Sequence, residues 1–380
     1  MDKRVYLLTA VSFVVGMVEL IIGGILDLVA ADLGVTVGKA GLLITFFALV
    51  FAISGPVLLF LTGKADRKKV TLTALFIFFI GNVIAIFSTT YSLLLLSRIV
   101  TASSGALLVV LCLTLASHIS QPEYRGRAIG LVIMGISGSV VLGLPIGVSL
   151  GHAFGWQSPF ILVAILTILL VIGVYLFFGN IHTQAPMSIK KQLKTLQDKK
   201  VIFGQLTTFF FLAGHFTLYG YLTPFVKSTL EFDGSWITIV YFVYGAAAVT
   251  GGGLGGIAAD NFGIRRTLLT VIVLLGVCLF IMPYTSFIFF WIVLVIWGVL
   301  SWAITPPIQS HLIQLAPDTA DIQQSLNNAA LHLGIAFGTF VGSIVADRWS
   351  VVQNASVGVL FVMLALISAF VSLQRQREVT

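Results

Sequence analysis

Long apolar runs dominate this chain and decide what it can fold into. Of its 380 residues, 58% are hydrophobic and only 9% are charged, whereas soluble domains carry about 25% charged residues. Runs of about 20 apolar residues are long enough to cross a bilayer as helices. The sequence therefore predicts an all-α polytopic membrane protein.

Twelve such spans follow one another, separated by short polar or charged segments. They cover approximately 5–30, 39–62, 70–89, 92–117, 127–151, 157–179, 201–226, 235–259, 267–286, 288–314, 322–346 and 353–373. The segments on one side of the membrane hold 17 of the 21 lysines and arginines, and the positive-inside rule assigns that side to the cytoplasm. Both termini are then predicted to be cytoplasmic.

The longest polar segment divides the spans into two groups of six. Residues 180–200 combine basic and apolar side chains as a short helix on the anionic inner leaflet would, although a solvated linker fits equally well. The predicted organisation is an N-terminal six-helix half over 1–179, this cytoplasmic linker, and a C-terminal six-helix half over 201–380.

Matching residues recur in the two halves at a nearly constant offset. Asp66 and Asp260 are 194 residues apart, Gly143 and Gly338 are 195 apart, and Gly24-Ile-Leu corresponds to Gly220-Tyr-Leu at 196. Two parallel pseudo-symmetric halves, with a site between them at mid-bilayer, describe the major facilitator fold. The sequence predicts that fold.

Glu19 is the residue least suited to its surroundings, because it lies midway along the first span. A carboxylate there costs about 2.5–3.5 kcal/mol on insertion scales and normally faces a bundle interior. Arg98 in span four lies at a similar depth, and the repeat aligns His215 with Glu19 to within one residue. We predict that these three groups couple transport to protons. A permanent ion pair of Arg98 with Glu19, and a neutral core imidazole at His215, are the structural alternatives.

Short motifs at the helix ends and in span five resemble those of major facilitator transporters, specifically the drug:proton antiporter branch. The loop between spans eight and nine carries glycines, an aspartate and paired arginines, whose charge-assisted contacts at helix ends would hold an inner gate shut. A degenerate copy follows span two, and span five resembles the antiporter motif of exporters. The predicted gating residues are Asp66, Arg67, Gly143, Pro145, Gly147, Gly256, Asp260, Gly263, Arg265 and Arg266.

Over essentially its full length, the chain resembles the bacterial PbuE-like purine base and nucleoside efflux pumps. The segments that carry this resemblance are 15–24, 122–125, 212–219, 297–302 and 321–325. It implies export of hypoxanthine, adenine, guanine or nucleosides in exchange for protons across a bacterial inner membrane, with no cofactor beyond the proton gradient. Asp27 departs from the pattern, since these pumps usually have proline there. We expect Asp27 and Asp32 to be solvated, with an outer proton relay at Asp27 as the alternative.

A purine is flat and presents donors and acceptors at its edges, so aromatic faces and amides suit it. Polar and aromatic residues of spans seven, ten and eleven provide both. The predicted substrate-binding residues are Glu19, His215, Tyr219, Tyr221, Trp297, Trp302, Gln324, Asn327 and Asn328.

Two functions other than transport of purines also fit this sequence. A polyspecific drug or sugar exporter on the same fold is the main alternative, and a sensor that binds without transport is a second. The sequence shows no metal-ligand cluster, nucleophile elbow or phosphate loop, so we expect neither an enzyme nor a metal site. Cys112 and Cys278 lie in apolar runs and are expected to be buried. We expect a monomer in the lipid bilayer that has no nucleic-acid partner.

Overall fold

A computed structural model describes residues 2–179 and 198–374. Within these residues, twelve helical segments are long and apolar enough to cross a membrane. The prediction of an all-α protein with twelve spans is therefore confirmed. The helix predicted for the linker at 180–200 falls almost wholly outside the described residues.

The first six spans are built from eight helices, because two of the spans are interrupted. They are α1 (Arg4–Gly24), α2 (Leu26–Asp32), α3 (Val37–Leu61), α4 (Arg67–Ile86), α5 (Tyr91–Ile119), α6 (Arg125–Gly138), α7 (Leu144–Phe154) and α8 (Ser158–Phe177). A π-helical turn, Ser139–Gly143, joins α6 to α7 within the fifth span.

The second six spans also contain interruptions. Their helices are α9 (Lys199–Tyr219), α10 (Leu222–Leu230), α11 (Ser235–Phe262), α12 (Ile264–Ile281), α13 (Phe287–Ala303), α14 (Thr305–Leu315), α15 (Ala320–Arg348) and α16 (Gln353–Ser372). Short 3₁₀ turns precede α6, α13 and α15.

Polar residues at the ends of the apolar runs fix where several helices begin. The hydroxyl of Thr36 accepts from the amide of Lys39 at 3.1 Å, and the carboxylate of Asp66 accepts from the amide of Lys69 at 3.1 Å. Such caps satisfy amides that a helix leaves unpaired. Gly263 adopts φ = 85° between α11 and α12, a conformation that other residues rarely take.

Three of the predicted spans, 5–30, 201–226 and 288–314, each contain two helices, with breaks at Ile25, at Gly220–Tyr221 and at Ile304. Ile25 leaves the helical region with φ = −118° and ψ = 20°, and prolines follow Thr305 in the first turn of α14. Hydropathy does not detect such breaks, because the side chains remain apolar through them.

The described residues divide into two compact units. The first contains the described residues up to 179 together with Leu222–Gly245, and the second contains the described residues of 188–221 together with those from 246 onward. In the first unit α1 packs against α5, α6 and α8, while in the second α9 packs against α15 and α16. The division into two six-helix halves at residues 180–200 stays a prediction.

Large apolar side chains point outward along the helices, as a lipid-facing surface requires. Phe76 is 57% exposed, Ile165 is 53% exposed and Phe280 is 60% exposed. The two cysteines, Cys112 and Cys278, are buried free thiols, which confirms their assignment as small core residues.

Candidate functional site

In the first unit, α5 inserts Arg98 against the middle of α1. The side chain is fully buried; its Nη1 donates to the carbonyl of Val18 at 2.9 Å and its Nη2 to the carbonyl of Glu19 at 3.3 Å. The guanidinium carbon lies 4.1 Å from the ring centroid of Phe47, a cation–π contact. Backbone oxygens and an aromatic face thus hold a cation in the middle of an apolar helix pair.

The Glu19 side chain is half-buried beside this arginine and interacts with it electrostatically. The Nε atom of Arg98 is buried and has no hydrogen-bond partner among the described residues. One N–H of the cation therefore remains available in a region where unsatisfied donors are expensive. The structure places Glu19 and Arg98 together in one unit, and their proton-coupling role stays a prediction.

In the second unit, His215 lies in an aromatic cluster between α9 and α13. Trp297 Nε1 donates to His215 Nδ1 at 2.9 Å, and both residues are buried. The imidazole stacks on Tyr219 with centroids 5.1 Å apart, and Phe216 meets it edge-on at 4.9 Å. Three of the residues predicted from sequence to bind substrate, His215, Tyr219 and Trp297, are therefore in mutual contact.

The other two predicted aromatic residues lie elsewhere. The Tyr221 hydroxyl donates to the carbonyl of Thr339 at 2.9 Å, and its ring is fully buried against Gly342. In this structure Tyr221 therefore ties α15 to the break between α9 and α10. Trp302 is half-buried near the end of α13.

A network of buried amides joins α9 to α15 in the same unit. Gln205 Nε2 donates to the backbone and side-chain oxygens of Gln323, both at 3.2 Å. Asn327 Nδ2 donates to Gln205 Oε1 at 3.1 Å and to Thr208 Oγ1 at 2.7 Å. These side chains satisfy one another, so the network fastens two helices together.

Sequence reasoning missed two members of this network, Gln205 and Thr208. Their signal was their spacing, since residues three apart share one helix face. The exposed amides of α15 are Gln324 and Asn328, while the predicted Asn327 is buried. Of the three predicted amides, only Gln324 and Asn328 are accessible to a ligand.

The predicted inner-gate loop is exposed. Asp260, Arg265 and Arg266 lie at the surface, and no described residue forms an ion pair with any of the three. The close helix contacts come one turn earlier, where Cβ atoms at Gly251 and Gly255 would fall within 2.8 Å of the α13 backbone. These two glycines were not predicted. At the predicted Gly256, a Cβ would have 3.8 Å to its nearest neighbour.

In the copy of this loop after span two, the arginine contacts the end of the preceding helix. Arg67 is almost completely buried and donates to the carbonyls of Thr62 and Gly63 at 3.4 and 3.2 Å, which closes the end of α3. Asp66 caps α4. The contacts of both residues explain their positions without any gate, and a gating role stays a prediction.

The glycines predicted in span five lie against α1, on either side of the level of Glu19. A Cβ at Gly147 would fall 2.8 Å from Ile21 Cγ1, and one at Gly143 would fall 3.2 Å from Met17 Cβ. Pro145 is buried in the first turn of α7, where its missing N–H is tolerated. Substituting Gly147 would therefore force the Ile21 side chain to move on the helix that carries Glu19.

At the break between α1 and α2, an ion cluster and a set of hydroxyls stabilise the chain. Lys227 Nζ lies 2.7 Å from Asp27 Oδ2 and 2.8 Å from Asp233 Oδ1. Thr223 and Tyr241 donate to the carbonyl of Gly23 at 3.1 and 3.0 Å. The expectation that Asp27 is solvated was wrong, because its side chain is only 17% exposed and is paired.

Asp32 has a partner as well, although it is exposed. Its Oδ2 accepts from the indole Nε1 of Trp156 at 2.7 Å, which ties the loop after span five to the end of α2. The sequence could not show this contact, because the two residues lie on separate elements.

Among the described residues, twelve spans are long and apolar enough to cross a membrane, and Arg98 of α5 is buried beside Glu19 of α1. These features are those of a polytopic membrane protein with a charged pair in its interior. The Major Facilitator Superfamily model matches residues 8–339. The chain belongs to this family of transporters.

Relatives of similar length support the assignment. The chain is 33% identical over 375 residues to the uncharacterized MFS-type transporter YbcL of Bacillus subtilis, covering 98% of this chain and 96% of that one. It is 27% identical over 370 residues to the inner membrane transport protein YdhP of Escherichia coli, covering 97% and 95%.

A solved structure shares the fold. A bacterial homologue of the human lysosomal transporter Spinster, in an inward-facing and occupied conformation, superimposes with a TM-score of 0.80. It is 16% identical, and the match covers 97% of this chain and 96% of that one. At this identity the likeness establishes the major facilitator fold and nothing finer.

Proposed function

We propose that this transporter exports purine bases and nucleosides in exchange for protons, by alternating access. The observation that carries the proton-coupled part is the position of Arg98, held by the carbonyls of Val18 and Glu19 next to a half-buried carboxylate. A fixed cation beside a titratable group allows two states of that group. When Glu19 is ionised it is attracted to Arg98, and when a proton neutralises it that attraction is lost.

The purine part of the proposal is supported by the chain-long resemblance and by the aromatic cluster of the second unit. The rings of His215, Tyr219 and Trp297 contact one another, and aromatic faces suit a flat heterocycle. Gln324 and Asn328 are exposed amides that could bond to its edges. In this proposal Glu19 takes up a proton on the outer side, substrate leaves, and deprotonation on the inner side accompanies loading.

The cellular setting is part of the same proposal. We place the chain in a bacterial cytoplasmic membrane with both termini inside, as a monomer. The excess of lysine and arginine in alternate segments supports this orientation. The relative in Escherichia coli, an inner membrane transport protein, supports the choice of membrane.

Efflux from proteoliposomes tests the role of Glu19. The purified protein is reconstituted with labelled hypoxanthine or adenine inside, and a pH gradient is imposed. Glu19→Gln should abolish efflux driven by the pH gradient while retaining exchange of labelled for unlabelled purine. Asp318→Asn, an exposed carboxylate on a 3₁₀ turn, is the matched control and should behave like the parent. Unchanged pH-driven efflux in Glu19→Gln would contradict the coupling role.

A substrate panel separates purines from the main alternative. Purines, nucleosides and cationic dyes are compared as counter-substrates in the same vesicles. Purines and nucleosides should accelerate the release of labelled purine, and dyes should not. Export of dyes with no purine counterflow would replace the proposed function by polyspecific drug export.

A further inference from the structure

The hydrogen bond between Trp297 and His215 determines the protonation state of the imidazole. An indole N–H can only donate, and it points at His215 Nδ1 from 2.9 Å. His215 Nδ1 must therefore present its lone pair. A protonated imidazole carries hydrogen on both nitrogens and could not accept this bond, so the ring is neutral and its single proton is on Nε2.

The surrounding rings fix the orientation of the imidazole as well as its tautomer. Tyr219 stacks on one face with an interplanar angle of 22°, and Phe216 meets the ring edge-on at 90°. A flip of the ring would replace Nδ1 by a carbon and would break the bond to Trp297. The ring is thus held in one orientation by packing and in one tautomer by the indole.

The helices of this unit add few ionisable groups near the ring. α13 and α16 contain no Asp, Glu, Lys, Arg or His. On α9 the titratable groups are the phenol of Tyr219, in contact with the ring, and Lys199 and Lys200 at the opposite end. On α12 and α15 they are Arg265, Arg266, Cys278, Asp321, His332, Asp347 and Arg348, and on α14 the one such group is His311.

We propose that Trp297 is a positioning residue that holds the neutral His215 ring with its proton on Nε2, so that His215 does not carry the coupling proton. This inference rests on the proposed function and sharpens it. Proton coupling is then left to Glu19 and Arg98.

Nitrogen NMR of the full-length protein in lipid nanodiscs reads the tautomer directly. The six histidines are labelled with ¹⁵N, and the His215 signals are assigned by their loss in His215→Gln. The parent should show one pyrrole-type and one pyridine-type nitrogen, Nε2 and Nδ1 respectively, from pH about 5 to about 8, although a free histidine titrates near 6.5. A protonated or Nδ1–H ring in this range would overturn the proposal.

Trp297→Phe removes the indole donor while keeping an aromatic ring, and Trp291→Phe on the same helix is the matched control. Without the indole donor, Nδ1 loses the partner that requires its lone pair, so the His215 nitrogen signals should shift from the parent's single tautomer to a mixture of the two neutral tautomers. The control should keep the parent's single tautomer.

The results of these experiments test the role of Trp297 separately from the proposed export of purines. If Trp297→Phe retains the single Nε2–H tautomer of the parent, the positioning role is wrong. If that variant does not fold, the spectrum of the parent still decides the tautomer. A neutral Nε2–H ring in a protein that does not transport purines would support the positioning role and overturn the substrate class.

Discussion

Positions 19 and 215 are related by the internal repeat, yet the two units surround them with different chemistry. Next to Glu19 the first unit buries a full positive charge, Arg98, and satisfies it with main-chain oxygens. Next to His215 the second unit uses a neutral bond between two rings, supported by Tyr219. A charged pair can change state when a proton arrives, whereas a neutral bond holds a fixed geometry. Under the proposed function, the first unit would therefore carry the energy coupling and the second the substrate recognition.

Arg98→Met gives the most severe test of this comparison. Two hydrogen bonds to a charged group, each worth about 1.5–3 kcal/mol, are lost from the coupling site, so pH-driven efflux should fall at least about tenfold. Thermal stability should fall as well, because the half-buried Glu19 loses the cation beside it. Efflux and detergent melting curves measure the two quantities separately.

Arg98→Lys is the companion variant. A lysine keeps the charge but lacks the planar fork that reaches two carbonyls, so its efflux should lie between those of the parent and of Arg98→Met. A large loss of stability in Arg98→Met with normal efflux would show that the arginine is structural, and the contrast between the units would fail.

Asn327→Leu should affect stability more than coupling. It removes the amide that donates to Gln205 and Thr208, and the buried acceptors left behind should lower the free energy of unfolding by about 1–3 kcal/mol. The parent-like dependence of efflux on the pH gradient should persist, because the network contains no ionisable group. Denaturant titration in detergent measures the change.

Two further variants control this result. Asn328→Leu, one residue along on an exposed face, should change stability by no more than about 0.5 kcal/mol. The double variant Gln205→Leu with Asn327→Leu should cost less than the sum of the single changes, because both partners of one bond are removed together. Additive losses would show that the amides do not act as a network.

The ion cluster at the end of α1 should show the smallest effects. Asp27→Asn removes a partner of Lys227 that is only 17% exposed, while Asp233→Asn removes one that is 76% exposed. Exposed pairs are worth about 0–1 kcal/mol and are screened by salt. Melting temperatures should therefore fall more in Asp27→Asn than in Asp233→Asn, and the second difference should vanish in high salt.

The pH dependence of this cluster has a definite sign. The hydrogen bond from Lys227 lowers the pKa of Asp233 below its ordinary value, so the stability that this pair contributes is present above that value. It is lost only as the pH falls through the lowered pKa. Melting curves of the parent and Asp233→Asn should thus differ by a constant amount from pH about 7 to about 5 and should converge in stronger acid. Convergence already near neutral pH would contradict the pairing.

The twelve spans could be predicted from sequence because a helix in lipid needs apolar side chains along its whole length. Hydropathy measures that property directly. The helix breaks could not, since they are changes of backbone direction within apolar sequence. The repeat did contain a clue: Gly24-Ile-Leu and Gly220-Tyr-Leu match at an offset of 196, and both spans break there. Because the two corresponding helices end at corresponding positions, the repeat indicates that both spans share the helix break.

The site was predictable only where a residue type is costly in lipid. Glu19 and Arg98 stand out for that reason, whereas Phe47, which packs on Arg98, cannot be told apart among 30 phenylalanines. The amides show the limit of pattern reasoning. Gln323 and Asn327 share one face of α15, and Gln324 and Asn328 share the next, so composition alone could not decide which pair is buried.

The anchoring of Arg98 has a consequence for how this protein can evolve. Its hydrogen bonds end on the peptide carbonyls of Val18 and Glu19, and those oxygens are present whatever side chains occupy the two positions. A single codon change at position 19 could therefore remove the acid without unseating the arginine. If Glu19 carries the coupling proton as proposed, descendants of such a chain would keep an intact pathway for cargo and lose only its link to the proton gradient, which is one short route from an active pump to a passive carrier.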